Sequence, residues 1–134
     1  MPRYMLDTDI ASYAMKKTSQ KVLDRLARVA VADIYLSSIS LAELEFGVAA
    51  SPKPVQDKAR LDDFLRYAEV LNFPAEAAHD YGQIRADLKK RGQIIGSNDM
   101  LIAAHARFLG LTLVTNNIRE FFRVSGLKLE NWAE

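Results

Sequence analysis

Asp99-Met100-Leu101-Ile102-Ala103-Ala104-His105-Ala106-Arg107-Phe108-Leu109-Gly110-Leu111-Thr112-Leu113-Val114-Thr115 decides the fold class. The apolar run over 100–109, capped ahead by Ser97 and stopped at Gly110, reads as a helix, and the β-branched segment after it reads as a strand. Outward from this unit the same alternation recurs. Towards the N-terminus, Gly92-Gln93-Ile94-Ile95-Gly96 ends an amphipathic helix over 75–91. Ahead of that helix, Val70-Leu71-Asn72-Phe73 makes a short strand and 58–67 another amphipathic helix.

Ser51-Pro52-Lys53-Pro54 is a Pro-rich break, and Ser40-Leu41-Ala42-Glu43 has the form of a capping box opening a helix through about Ala50. A strand over 34–39 precedes it, and a helix from about Ser19 precedes that, with Val22, Leu23, Leu26 and Val29 at helical spacing. At the start, Met5-Leu6 is a buried strand running straight into a helix, with Thr8 and Asp9 suited to cap it. Beyond Thr115, a short helix over 118–122 and a strand over 127–129 close the chain. Short apolar strands alternating with helices predict an α/β fold: a central, mostly parallel sheet of four or five strands flanked by helices. In such sheets sites lie beyond the carboxyl ends of the strands, so the polar residues just after them are the first suspects.

Composition bounds the rest. The chain has 134 residues, 49% of them hydrophobic and 26% charged, which suits one domain over 1–134 able to bury a core without a staple. No cysteine is present, which excludes disulfides, thiolate zinc sites and thiol nucleophiles. Lys and Arg number 18 against 17 Asp and Glu, so any nucleic-acid contact must be local. No apolar run approaches the roughly 20 residues of a membrane span, and Met1-Pro2-Arg3-Tyr4 does not open a signal peptide. The expected location is cytoplasmic, with no membrane partner.

Three acids stand out by position: Asp7 after the first strand, Glu43 in the turn after the second, and Asp99 at the start of the helix before Val114. Each alone has a bland reading, since an acid in a first helical turn interacts favourably with the helix dipole and Glu43 fits a capping box. Jointly they say more. Three carboxylates at one sheet edge repel unless a cation sits among them, and hard carboxylate oxygens select Mg²⁺ or Mn²⁺. Such a site can activate water against a phosphodiester.

Four segments, in this order, resemble the successive motifs of PIN-domain ribonucleases, and most closely the VapC type of bacterial toxin. They are Met5-Leu6-Asp7-Thr8-Asp9; Ser37 to Glu43 with Leu44-Glu45-Phe46-Gly47; Ile95-Gly96-Ser97-Asn98-Asp99 through Ala106; and Leu113-Val114-Thr115-Asn116-Asn117. The resemblance covers nearly the whole chain. It implies a PIN-like fold and a metal-dependent endoribonuclease of a toxin–antitoxin module, cutting RNA, with transfer RNA among the admissible substrates. It also implies a small cognate antitoxin and a homodimer. Asp7, Glu43 and Asp99 fall on the family's first three acidic positions, which hold divalent metal and orient the attacking water. Many members carry a fourth acid where this chain has Asn117, and that departure leaves a second metal site open. An amide can still ligate a hard cation, though less strongly, and Glu120 in the next turn is a candidate to compensate. Thr115 and Asn117 are candidates to position water or phosphate. Asp9 is a helix cap, a supporting acid or a second catalytic carboxylate.

Two other function classes stay open at this point. One is a catalytically silent module that holds RNA or protein; the presence of three family acids favours an enzyme over it. The other is an aspartyl-phosphate phosphatase resembling the haloacid dehalogenase family, suggested by Asp7-Thr8-Asp9, although Ala11 replaces that motif's usual Thr or Val and Asn98-Asp99 supplies half of its acidic pair. His79 and His105 read as structural or surface residues, with His105 a candidate to line the cleft. Lys89-Lys90-Arg91 reads as a solvated helix end, with a phosphate-contacting patch shared with Arg85 as the alternative. Phe64, Leu65, Tyr67, Phe121, Phe122 and Trp132 exceed what a small core readily takes, so some belong to an interface.

Overall fold

The first strand, β1 (Tyr4–Leu6), is buried on both faces, and its side chains alternate between two cores because successive residues of a strand point to opposite sides. A computed structural model describes residues 2–134. In it, β1 pairs in parallel with β2 (Ile34–Ser37) on one side and β4 (Thr112–Val114) on the other. β3 (Glu69–Leu71) and β5 (Leu129–Glu130) extend the sheet outward, giving the order β3-β2-β1-β4-β5 with every pairing parallel. The chain builds outward from β1 to β3 on one side, then returns to place β4 on the other. The direction of winding therefore reverses between β1 and β4, and a crevice opens beyond their carboxyl ends.

Helices cover both faces. Leu6, Leu36 and Val114 pack into one core with Ile10 of α1 (Thr8–Lys16), Val22 of α2 (Gln20–Ala27), Leu44 of α3 (Ser38–Ala49) and Leu61 of α4 (Pro54–Phe64). Met5 and Leu113 face the other, with Ile84 of α5 (Ala77–Lys90), Ile102 of α6 (Ser97–Leu109) and Phe121 of α7 (Ile118–Phe121). Among the described residues no helix is long and apolar enough to cross a membrane.

Several local expectations need correction. The second strand ends at Ser37, whose own hydroxyl accepts from Ile39 N (3.1 Å) and starts α3 three residues before Ser40. Ser40 consequently lies inside the helix, buried, with no partner for its Oγ among the described residues, and the capping box does not form. Asp7, not Thr8 or Asp9, caps α1, accepting from Ile10 N at 2.9 Å. The Pro-rich break is shorter than expected because Pro54 begins α4, where its missing N–H costs nothing. Gly96, not Ser97, is the N-cap of α6. β3 and β5 are each displaced by a residue or more from the segments expected for them. Gly110, at φ 69°, ends α6 in the left-handed region as expected.

Candidate active site

Asp7 stands where β1 becomes α1. Its backbone N–H continues the ladder to Val114 O (2.9 Å) and its carboxylate folds back to cap the helix, which leaves it only 5% exposed at the mouth of the crevice. Glu43 reaches the same place from the second turn of α3 and Asp99 from the first turn of α6. Together with Thr8, Asp9, Asn117 and Phe121 they line one polar pocket of about 220 Å³. The three acids singled out in the sequence thus meet at one sheet edge.

The pocket is electrostatically loaded. Burial pushes Asp7 up from 3.8 to about 7, against hydrogen bonds from Thr115 and Ile10 that favour its ionised form, with further upward push from Asp9 and Asp99. Asp99 rises to about 6, first through burial and then through the negative charges of Glu43, Glu120 and Asp9. As the side chains stand they ring the pocket; among the described residues no three acids or histidines meet at a single point. Two of the acids have competing partners, since Asp7 Oδ1 holds the N–H of Ile10 and Glu43 Oε1 accepts from Thr8 Oγ1 at 2.5 Å.

The remaining predicted residues divide. Asp9, freed from capping, lines the pocket from the first turn of α1. Thr115 is fully buried; its Oγ1 accepts from Asn117 N at 2.8 Å. Asn117 lines the pocket and donates through Nδ2 to Glu120 Oε2 at 3.0 Å. Glu120 is therefore set back from the pocket and reaches it through Asn117 and through its field at Asp99. His105 does not line the cleft. It is wholly buried, with Nδ1 2.9 Å from Ser37 Oγ and Phe73 packed edge-on against its ring. Burial pushes its imidazole below the usual range, so it is neutral at pH 7 and ties α6 to the start of α3.

Thr8 and Gly96 contribute to the site although their local sequence does not mark them for it. Thr8 is legible only as a cap, yet its hydroxyl holds Glu43. A Cβ at Gly96 would stand 3.2 Å from Asp99 Oδ2, closer than side chains ordinarily pack, so the glycine leaves room for that carboxylate. Of the surplus aromatics, Phe64, Phe121 and Trp132 are core, whereas Phe122 and Tyr67 are exposed.

The donor set suits a hard divalent cation: all-oxygen, multiply charged, and so poorly solvated that two of its carboxylates are driven towards protonation. A cation there would take over the role of the proton.

Comparison with known proteins agrees with this geometry. The family model described as PIN domain matches residues 4–127. The chain is 47% identical over 130 residues to ribonuclease VapC2 of Rickettsia felis, covering 96% of this chain and 97% of that one. It is 40% identical over 133 residues to a tRNA(fMet)-specific endonuclease VapC of Shigella flexneri, covering 99% and 100%. Among solved structures, VapBC2 from Rickettsia felis bound to a DNA fragment from their promoter superposes with a TM-score of 0.91 at 46% identity, covering 96% of this chain and 98% of that one. DNA-bound VapBC from Salmonella typhimurium superposes with a TM-score of 0.92 at 37% identity, covering 98% and 99%. With a parallel sheet carrying its acids beyond the strand ends, and with likeness spanning nearly the whole chain, the protein belongs to the PIN domain family, in its VapC ribonuclease branch.

Proposed function

We propose that residues 1–134 act as a single-domain endoribonuclease, the toxin of a toxin–antitoxin pair, which hydrolyses RNA phosphodiester bonds at the acidic pocket. One observation carries the reading: Asp7, Glu43 and Asp99 arrive from three separate elements at one pocket whose burial and mutual repulsion call for a cation. Asp7 and Asp99 are the residues to hold Mg²⁺, or Mn²⁺, with Glu43 as a third ligand or as the base that orients water. The cation would supply positive charge to lower the pKa of water and to neutralise the phosphate under attack.

The chain's own residues do the rest. Thr8 keeps Glu43 aimed into the pocket, and Thr115 steadies Asp7 by a hydrogen bond to its carboxylate. Asn117, oriented by Glu120, offers its amide oxygen towards water or phosphate. Relatives named for cutting tRNA(fMet) support a structured transfer RNA as substrate, and RNA of that kind is read by shape and splayed bases.

Relatives solved as VapBC complexes support a small antitoxin as partner. An antitoxin arginine would fit the acidic pocket, since a guanidinium pairs with carboxylates in bidentate fashion. Its apolar segment would fit the groove of about 260 Å³ that includes Met15, Leu23, Leu26, Phe64 and Tyr67. A homodimer in the cytoplasm is the working form in this reading.

The test is incubation of the antitoxin-free chain with total RNA in Mg²⁺ or Mn²⁺, and in chelator. Discrete cleavage products that need the cation and disappear in Asp99→Asn are expected. Cleavage indifferent to chelator, or retained in Asp99→Asn, would remove the assigned site.

A further inference from the structure

The acidic pocket does not end at Glu43. Thr8, Asp9 and Glu43 also line an adjoining cleft, which continues past Ser12 and Gly47 to Lys16. Lys16 and Gly47 in turn border a third, open depression carrying Lys53 and Arg60. The periodicity of two helices makes this furrow. On α1, Asp9, Ser12 and Lys16 recur at three- and four-residue steps and share a face; on α3, Glu43 and Gly47 stand four residues apart on one face, and Ser51 follows just beyond the helix end. At 1.5 Å per residue, Lys16 lies roughly 10 Å along α1 from Asp9. One end of the furrow is negative and the other positive.

Two of the cations at the far end, Lys16 and Lys53, are available, while Arg60 is paired with Asp57. Among the described residues neither Lys16 nor Lys53 pairs with a carboxylate, whereas Lys58, on α4, is held by Glu45 and Asp62. Among the described residues Asp57 is the one acid lining the depression, and it is engaged: Ser51 Oγ donates to it at 2.6 Å and Arg60 pairs with it at 3.4 Å. Gly47 stands where the cleft meets the depression, and among the described residues nothing lies within 4 Å of where its Cβ would be. A side chain there would project into the furrow, so the glycine keeps it open.

We propose that this furrow seats the RNA backbone on one side of the scissile phosphate, with Lys16, Lys53 and Arg60 contacting the phosphates next along the strand. The proposal rests on the ribonuclease reading above and adds a direction to it: the strand leaves the acidic pocket between α1 and α3, not over the basic turn Lys89-Lys90-Arg91 at the end of α5. A polyanion needs such an arrangement, because the acids beside the cut repel its phosphates and fixed cations must hold it nearby.

The test is equilibrium binding of a fluorescent single-stranded RNA oligonucleotide to the full chain in an Asp99→Asn background, across a salt series, with cleavage kinetics in the parent background. Lys16→Gln with Lys53→Gln should weaken binding about tenfold and flatten the dependence of log K on log salt by about 0.7 for each phosphate no longer neutralised. In cleavage the loss should fall on KM more than on kcat. Gly47→Leu, which has room to fold, should weaken binding by obstruction without changing the salt slope. Lys89→Gln with Lys90→Gln should leave both slope and affinity unchanged. A parent chain that binds and cuts RNA with a slope insensitive to Lys16 and Lys53, or sensitive instead to Lys89 and Lys90, overturns the furrow and leaves the ribonuclease reading standing. A parent chain that neither binds nor cuts RNA overturns both.

Discussion

Thr8 and Glu43, 35 residues apart in sequence, share a hydrogen bond of 2.5 Å in which the threonine hydroxyl donates to Oε1. The bond joins the first turn of α1 to the second turn of α3 and holds Glu43 at the pocket, where its charge acts on Asp99.

Removing that hydroxyl should therefore cost function more than stability. Thr8→Val keeps the shape and leaves Glu43 free to rotate towards solvent. A bond to a charged acceptor is worth about 1.5–3 kcal/mol, so a fall in kcat of about tenfold or more is expected. Thr8→Ser should restore most of it. Equal activity in Thr8→Val and the parent would mean that Glu43 needs no orientation.

Asp7 ties activity to instability. Its carboxyl titrates near 7 in the folded chain against 3.8 ordinarily, and Asp99 moves the same way to about 6. Between those values the folded chain binds protons that the unfolded chain has released, so protonation favours folding. That stabilisation is full below about pH 4 and is lost as the pH rises through 6 and 7. In chelator, Asp7→Asn should accordingly melt several degrees above the parent at pH 8, the gap narrowing on acidification, because asparagine caps a helix as well as aspartate and carries no charge to bury. Saturating Mg²⁺ should raise the parent's melting temperature and barely move the variant's. Cleavage should fall more than about 100-fold in the variant, by loss of a ligand. Melting curves for parent and variant that coincide at every pH would show that Asp7 is not under strain.

Gly96→Ala tests the space around Asp99. The added Cβ would lie 3.2 Å from Oδ2, and the carboxylate must swing away from it. Alanine is also a poorer N-cap than glycine, at a cost of about 0.5–1 kcal/mol. The expected signature is a modest fall in melting temperature with a larger fall in Mg²⁺ affinity by calorimetry. Unchanged affinity would show that Asp99 can relax without leaving the site.

What is legible in the sequence depends on the range of the interaction. Asp7, Asp99 and Asn117 are legible because each follows a strand or opens a helix, and strand ends mark the site in a parallel sheet. The α/β alternation and the stop at Gly110 are legible for the same local reason. Ser40 and Glu43 mislead, because the capping-box pattern is satisfied by sequence alone, while Ser37 lies closer to the end of β2 and takes the cap first. His105 cannot be placed without knowing that Ser37 stands opposite it, 68 residues away. The Thr8 bond and the run from Glu43 to Lys53 depend on how α1 packs against α3 and α4, which no local pattern encodes.

Substitution at Asn117 tests how many cations the pocket takes. Its amide donates to Glu120 while it lines the pocket, so the fourth corner is neutral on the side facing Asp99 and negative behind it. Asn117→Asp replaces that donor by an acceptor and sets two carboxylates against each other. In chelator the variant should be less stable than the parent, and more so at pH 8 than at pH 5. With Mg²⁺ or Mn²⁺ the order should reverse, since an added carboxylate gives a hard cation another anionic ligand and the ion-bound state draws the fold with it. Adding Glu120→Gln to Asn117→Asp should recover the stability lost in chelator while keeping most of the gain in affinity. Calorimetric titration decides between the alternatives: a second binding event in Asn117→Asp, absent from the parent, means that the natural asparagine holds the site to one ion, whereas identical isotherms would place residue 117 outside the coordination shell and limit it to positioning water.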